Sequence, residues 1–214
     1  MTITPRPSVG IIGAGRLGTV LARQLGQAGY HVCIANSRGP VSLTLTASIL
    51  FPLATPATID EVVERSDVII LALPLSRAST PAADLFAGKL LIDAMNYWPT
   101  TEGVIASLDS QQLSSSDYVQ QLFPGARVVK SFSHVAYHEL AEHSRAAGQP
   151  DRRALALAGN DVDAKRLVRR MIEDLGFDAV DVGPLTTGRV FEPDTAAFNA
   201  RLSADQLRNL LALN

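Results

Sequence analysis

The chain has 214 residues, 47% of them apolar and 19% charged, with a net charge of −2 and a single cysteine, Cys33. This length suits one large α/β domain with a short C-terminal addition, and the composition excludes a disordered or low-complexity chain. Near-neutral charge argues against general nucleic-acid binding, and one cysteine excludes an internal disulfide or a thiolate metal cage. The longest apolar run, Val68 to Leu75, is far short of the roughly 18 residues of a membrane span. No secretion signal opens the chain, so a cytoplasmic protein without a membrane or nucleic-acid partner is expected.

In chain order, "SVGIIGAGRLGTVLARQLGQAGYHVCIAN" begins with a strand at Val9–Ile12 and a glycine turn. Leu17, Val20, Leu21, Leu25 and Ala28 then fall at helical spacing up to Gly29. His31–Ala35 is a second strand, which makes a β-α-β unit with parallel neighbours and places Cys33, as a buried inert thiol, in an apolar strand. After Pro40, "VSLTLTASILFPLATPAT" is rich in β-branched residues, whereas the topology asks for a helix and then a short strand. Thr58 and Glu61 form a capping box for a helix to about Arg65, and "DVIILALP" is the continuous apolar run of a central parallel strand, ended by Pro74.

The Thr80-Pro81 pair predicts a helix start and Gly88 its end, before a strand at "KLLIDA". "SSSDYVQQLF" predicts a serine-capped helix, "ARVVKSF" a strand, "HVAYHELAEHSRAA" a helix or part of one, and "RALALAG" another strand. Asn160 or Asp161 caps an amphipathic helix with Val168, Met171, Ile172 and Leu175 on one side and Gly176 after it, leading to "FDAVDVG". Ser203 and Gln206 box a last helix. Alternating strands and helices without a linker predict one Rossmann-type domain: a doubly wound, mostly parallel sheet over residues 8–183 with a tail over 184–214.

Gly13-Ala14-Gly15-Arg16-Leu17-Gly18 matches G-x-G-x-x-G after a strand and at a helix start, the context that points to dinucleotide binding rather than a bare glycine turn. The first glycine allows the turn, the second lets the backbone approach a pyrophosphate, and the third lets the helix pack on the strand. An NAD site places a carboxylate about 20 residues on, for the ribose hydroxyls. Ala35 and Asn36 stand there instead, followed by Ser37 and Arg38. A carboxylate would repel a 2′-phosphate, whereas a hydroxyl and a guanidinium would bind it, so NADP(H) is the expected cofactor. The alternative is an Asn-Ser-Arg-Gly turn in which Asn36 and Gly39 supply loop geometry. Residues 1–59 carry Arg6, Arg16, Arg23 and Arg38 and no acid, a charge of +4 that suits a phosphate-rich ligand.

The segments "GIIGAGRLGTVLARQLGQAGYHVCIANSRGP", "DVIILALP", "LLIDAMNYW", "LFPGARVVKSFSHV", "LAGNDVDAKRLVRRMIEDLGFDAVDVGPL" and "GRVFEP" resemble, in order, the F420-dependent NADP oxidoreductase family. The same fold forms the cytosolic part of the six-transmembrane ferric reductases, whose FPG-x-x-VVK-x-F and LGF-x-x-x-D-x-G segments are similar. The resemblance spans about residues 8–193. It implies that residues 13–18 hold pyrophosphate, that Ser37 and Arg38 hold the 2′-phosphate, and that Leu73 and Pro74 border the nicotinamide ribose. Asn96 would line the nicotinamide side, and Tyr97, Trp98, Phe132, Ser133, His134 and Val135 would face the second substrate. These positions lie at carboxyl ends of strands, where open α/β sheets bind ligands. Tyr97 and Trp98 could equally cap the core as amphipathic aromatics.

His134, His138 and His143, with Glu139 and Glu142 between them, lack H-E-x-x-H spacing and predict a polar helix face rather than a metal site. No G-x-S-x-G elbow makes a nucleophile of the serines after Gln112, and Tyr97 and Lys130 lack Tyr-x-x-x-Lys spacing. No acid/base constellation emerges, so no catalytic side chain is assigned. Hydride transfer to a flavin-like ring needs mainly that two rings be held face to face, while reducing a ketone needs a proton donor. The expected activity is hydride transfer between NADPH and F420 or a flavin-like acceptor (FMN or FAD). Reduction of a small imine, carbonyl or ferric substrate is the enzymatic alternative, and a non-catalytic NADP-binding redox sensor is the alternative of another class. A homodimer built through the C-terminal segment is expected.

Overall fold

The computed structural model describes residues 5–79, 81–110 and 113–213. Eight strands form one sheet: β1 (Val9–Ile12), β2 (Val32–Ala35), β3 (Ala54–Pro56), β4 (Val68–Leu71), β5 (Leu90–Asp93), β6 (Arg127–Ser131), β7 (Ala154–Gly159) and β8 (Asp178–Asp181). Their order is β3-β2-β1-β4-β5-β6-β7-β8. All neighbours pair in parallel except β6 and β7, which are antiparallel. The helices are α1 (Arg16–Gln27), α2 (Thr44–Leu50), α3 (Ile59–Arg65), α4 (Pro99–Glu102), α5 (Ala106–Asp109), α6 (Ser115–Leu122), α7 (Glu139–Glu142), α8 (Val162–Asp174) and α9 (Ala204–Leu210).

Both faces of the central strands are covered. In β5, Leu90 and Ile92 enter one apolar cluster with Leu21 and Leu25 of α1 and Val168 and Ile172 of α8. Leu91 enters the other, with Val62 and Val63 of α3 and Val119 of α6. This burial on two faces is why β4 is an unbroken apolar run and β5 is apolar from Leu90 to Ile92. Order reverses at β1, whose neighbours are β2 on one side and β4 on the other. A crevice opens at such a switch point beyond the carboxyl ends of the strands.

The ambiguous stretch after Pro40 folds as a 3-10 turn (Pro40–Leu43), then α2 and β3, so topology overrides local β propensity. The capping boxes at Thr58/Glu61 and Ser203/Gln206 form, and Asp161, not Asn160, caps α8. Two expected helices are not continuous. Thr80 lies outside the described residues, and the segment after Pro81 carries only a 3-10 turn at Ala83–Phe86. The 134–147 segment keeps one turn, α7, because His134 leaves it to bond to the sheet. With no full crossover helix between them, β6 and β7 meet antiparallel. Cys33 is half-buried rather than fully buried, and burial pushes its thiol pKa up.

The tail over 184–213 packs on the sheet. Phe191 of a 3-10 stretch (Leu185–Phe191), Ala197 of the loop after it and Leu207 of α9 are buried in one cluster with Ala154, Ala156 and Val180. No helix among the described residues is long and apolar enough to cross a membrane.

Candidate functional site

A cleft of about 460 Å³ opens at the switch point. The loop after β1 (Gly13, Ala14, Gly15), the loop after β2 (Asn36, Ser37, Arg38) and the loop after β4 (Leu73, Pro74, Arg77) line it, with Ile59 at the start of α3. The three motif glycines answer to different constraints. Gly13 has φ +115°, and a Cβ there would lie 2.2 Å from the Ala72 carbonyl oxygen. A Cβ on Gly18 would lie 1.8 Å from the Gly13 carbonyl oxygen. A Cβ on Gly15 would meet nothing within 4 Å. Protein packing therefore requires Gly13 and Gly18, while Gly15 leaves open backbone at the amino end of α1, the cradle a pyrophosphate fits. Arg16 and Leu17 belong to the first turn of α1, and the Arg16 guanidinium lies over the Tyr137 ring at 5.7 Å.

The loop after β2 is a built turn. Asn36 Nδ2 donates to Ser42 Oγ (2.9 Å), Asn36 Oδ1 accepts from Arg38 N–H (2.9 Å), and Ser42 Oγ donates to the Gly39 carbonyl (2.7 Å). Gly39 takes φ +82°. Asn36 thus spends its side chain on the turn and leaves Ser37 and Arg38 exposed at the cleft. Among the described residues no carboxylate lines the cleft and none pairs with the Arg38 or Arg77 guanidinium. Arg77, Ile59 and Pro81 line it without having been expected there from the sequence. Their one signal was position, since Arg77 follows closely on the Pro74 that ends β4.

Beyond β5 and β6 the geometry departs from expectation. Asn96 Nδ2 donates to the Ser133 carbonyl (2.7 Å) and so ties the two loops, while Asn96 Oδ1 and Ser133 Oγ are buried without a hydrogen-bond partner among the described residues. Phe132, Ser133, His134 and Val135 are all buried, so their side chains do not present a surface to a second substrate. Phe132 holds φ +63°, a strained conformation for a non-glycine residue. The turn it makes points the His134 carbonyl at Asn199 N–H (2.9 Å) in the tail.

His134 is not on a polar helix face. Its Nε2 accepts from Ala156 N–H of β7 (3.0 Å), and its ring lies 4.8 Å from that of Phe191. Burial, with Arg153 and Lys130 nearby, pushes its pKa down to about 3, so it is neutral and an acceptor. Tyr97 packs, half-buried, and its hydroxyl accepts from Ile105 N–H (2.9 Å). Trp98 is 41% exposed, with its ring edge-on to Phe198 at 5.9 Å. Of the expected second-substrate side chains, Trp98 is the one the fold leaves open.

Behind the Asn96 loop lies an ionic network that no sequence pattern marked. Lys130 and Asp93 are fully buried, with Lys130 Nζ 3.3 Å from Asp93 Oδ2. Lys130 Nζ also donates to Ser115 Oγ (2.8 Å) and the Met95 carbonyl (3.2 Å), with Glu192 Oε1 3.9 Å away. Ser116 Oγ donates to Asp93 Oδ2, Asp93 Oδ1 accepts from Met95 N–H (3.0 Å), and Ser115 donates to Glu192 through N–H and hydroxyl. Ser114 caps α6 as expected, but the two serines after it serve this network. By fixing both polar backbone atoms of Met95, it sets where Asn96 stands. Among the described residues no group of three His, Cys, Asp or Glu could hold a metal ion.

Residues 8–97 match the model of the family described as NADP oxidoreductase, coenzyme F420-dependent. A hypothetical protein from Sinorhizobium meliloti superposes with a TM-score of 0.80 at 30% identity, covering 92% of this chain and 95% of its own. An Arthrobacter protein assigned as an F420-dependent NADP-reductase follows at a TM-score of 0.70 and 26% identity, covering 86% and 87%. Over its amino-terminal part the chain is thus similar to the F420-dependent NADP oxidoreductase family. The rat metalloreductase STEAP3 is 32% identical over 188 residues, which are 87% of this chain and 36% of that protein. The chain thus spans about a third of the length of the metalloreductases it matches. The family model contains the cleft and Asn96; the Phe132 turn and the tail lie beyond it.

Proposed function

We propose that this NADP-dependent oxidoreductase moves a hydride between NADP(H) and F420 or a flavin-like ring. The observation that carries the reading is the cleft itself: open backbone at Gly15, then Ser37 and Arg38 on a pre-shaped turn, with no carboxylate among its described lining residues. Bound there, NADPH supplies the hydride. Residues 13–18 hold the pyrophosphate at the start of α1, Ser37 and Arg38 hold the 2′-phosphate, and Leu73 and Pro74 border the ribose next to the nicotinamide. Asn96, fixed by Ser133 and by the network behind Met95, positions the nicotinamide side, and Trp98 offers an aromatic face to the acceptor.

A ring acceptor is favoured over a carbonyl because carbonyl reduction needs a positioned proton donor, and the only histidine of the Phe132–Val135 turn does not supply one. His134, expected to face the second substrate, is buried, neutral and engaged as an acceptor. Positioning is then the main contribution of the protein, as ring-to-ring hydride transfer requires. Likeness to the metalloreductases favours ferric reduction as a second reading. A cytoplasmic homodimer belongs to the same proposal, and light scattering checks its mass.

The test is to mix the protein with NADPH and follow its absorbance with F420, FMN, FAD, ferric chelates or a cyclic imine added in turn. Oxidation with F420 or a flavin is the expected result. Oxidation only with the imine would overturn the acceptor, and tight binding with no turnover by any of them would make the protein a sensor. Arg38→Ala should weaken NADPH by at least about tenfold more than NADH, the usual scale for a lost guanidinium–phosphate pair.

A further inference from the structure

Strands β2 and β4 flank β1, so the loops after them rise on opposite sides of the glycine turn. Each carries one arginine into the same cleft, Arg38 from the first and Arg77 from the second. Many other arginines have carboxylate partners: Arg6 with Asp174, Arg65 with Glu61, Arg152 with Asp178 and Arg153 with Glu139. Arg38 and Arg77 have none among the described residues, although both are exposed and the chain is acidic overall. Their backbones are nonetheless fixed. Arg77 closes a 3-10 turn in which its N–H donates to the Pro74 carbonyl (2.8 Å), Leu75 is buried, and Ser76 N–H donates to Glu102 Oε2 (3.0 Å).

Two exposed arginines carried by loops on opposite sides of the cleft, with no carboxylate among its described lining residues, offer a site for a dianion. The pyrophosphate is already served by the glycine turn, which leaves a phosphomonoester as the group in need of them. We propose that Arg77 is a specificity-determining residue that closes on the ribose 2′-phosphate of NADP(H) from the side opposite Arg38. The inference rests on the NADP assignment above and adds a second, independent cation to it. A forked guanidinium suits a phosphate better than a lysine ammonium would, since it can present two parallel N–H groups.

The experiment measures dissociation constants of adenosine 2′,5′-bisphosphate, 5′-ADP, NADPH and NADH for the wild type, Arg77→Ala, Arg77→Lys and Arg38→Ala. Arg77→Ala should weaken the bisphosphate and NADPH by at least about tenfold and leave 5′-ADP and NADH within about twofold. Arg77→Lys should fall between. Urea unfolding of Arg77→Ala should match the wild type, because the side chain is exposed. Equal weakening of all four ligands would place Arg77 on adenine or pyrophosphate and overturn the proposal, as would no weakening of any. A wild type that does not prefer NADPH over NADH would instead overturn the NADP assignment itself, so the two failures are distinct.

Discussion

Replacing Gly15 and Gly18 one at a time by alanine should separate ligand binding from folding within a single six-residue motif. Gly15 has φ −81°, ordinary for any residue, and a Cβ there meets no protein atom within 4 Å. Alanine lowers the entropy of the unfolded chain, worth ~0.4–1 kcal/mol, and loses a similar amount as a poorer helix cap, so net stability should stay within about 1 kcal/mol. The new methyl would stand between the α1 amides and the pyrophosphate. Losing one hydrogen bond to a charged group, at ~1.5–3 kcal/mol, should weaken NADPH by about ten- to about a hundredfold. Gly18→Ala is the opposite case. Its Cβ would sit 1.8 Å from the Gly13 carbonyl oxygen, about 1.5 Å inside the ~3.3 Å of a close carbon–oxygen contact. The obstacle is backbone, so β1 and α1 must part, at a cost at or above the usual ~1–3 kcal/mol of overpacking. Urea unfolding gives the stabilities, and NADPH fluorescence titration gives the affinities. A Gly15→Ala protein that binds NADPH as the wild type does, or unfolds as readily as Gly18→Ala, would refute the division of roles.

Lys130→Met keeps the buried stem but leaves Asp93 without its cation, and should cost ~3–5 kcal/mol in urea unfolding. Asp93→Asn should cost less, because Lys130 keeps Ser115, the Met95 carbonyl and Glu192; equal costs, or a double variant whose loss is the sum of the two, would contradict the network. His134 has its pKa lowered from 6.5 to about 3, so between those values the unfolded chain binds a proton the native one does not. Its contribution is fully present above pH 6.5 and declines by ~1.4 kcal/mol per pH unit as pH falls towards 3. Unfolding measured from pH 7 to 5 should show this slope, and His134→Gln should flatten it.

The strands, most of the helices and the glycine motif were legible in the chain because their causes are local. Apolar runs such as Val68–Leu71 mark strands buried on both faces, and Thr58/Glu61 or Ser203/Gln206 satisfy helix-end amides within one turn. The placement of Ser37 and Arg38 was legible for a similar reason, since a β-α-β unit fixes where its second strand ends. By contrast, the 134–147 segment has helix-like spacing yet keeps only one turn, because a hydrogen bond from β7 to His134 lies outside any local pattern.

The sequence by itself determined the Rossmann class, the dinucleotide turn and the lack of a carboxylate at the ribose end. Tertiary structure decided what depends on distant residues meeting. It buried Phe132–Val135, paired Lys130 with Asp93 37 residues away in the chain, and folded the tail back so that Asn199 bonds to His134. It also put Arg77 in the cleft with Arg38. The physical reason is the same each time: a side chain's role follows from its desolvation and its partners, and for these residues both come from other strands of the sheet.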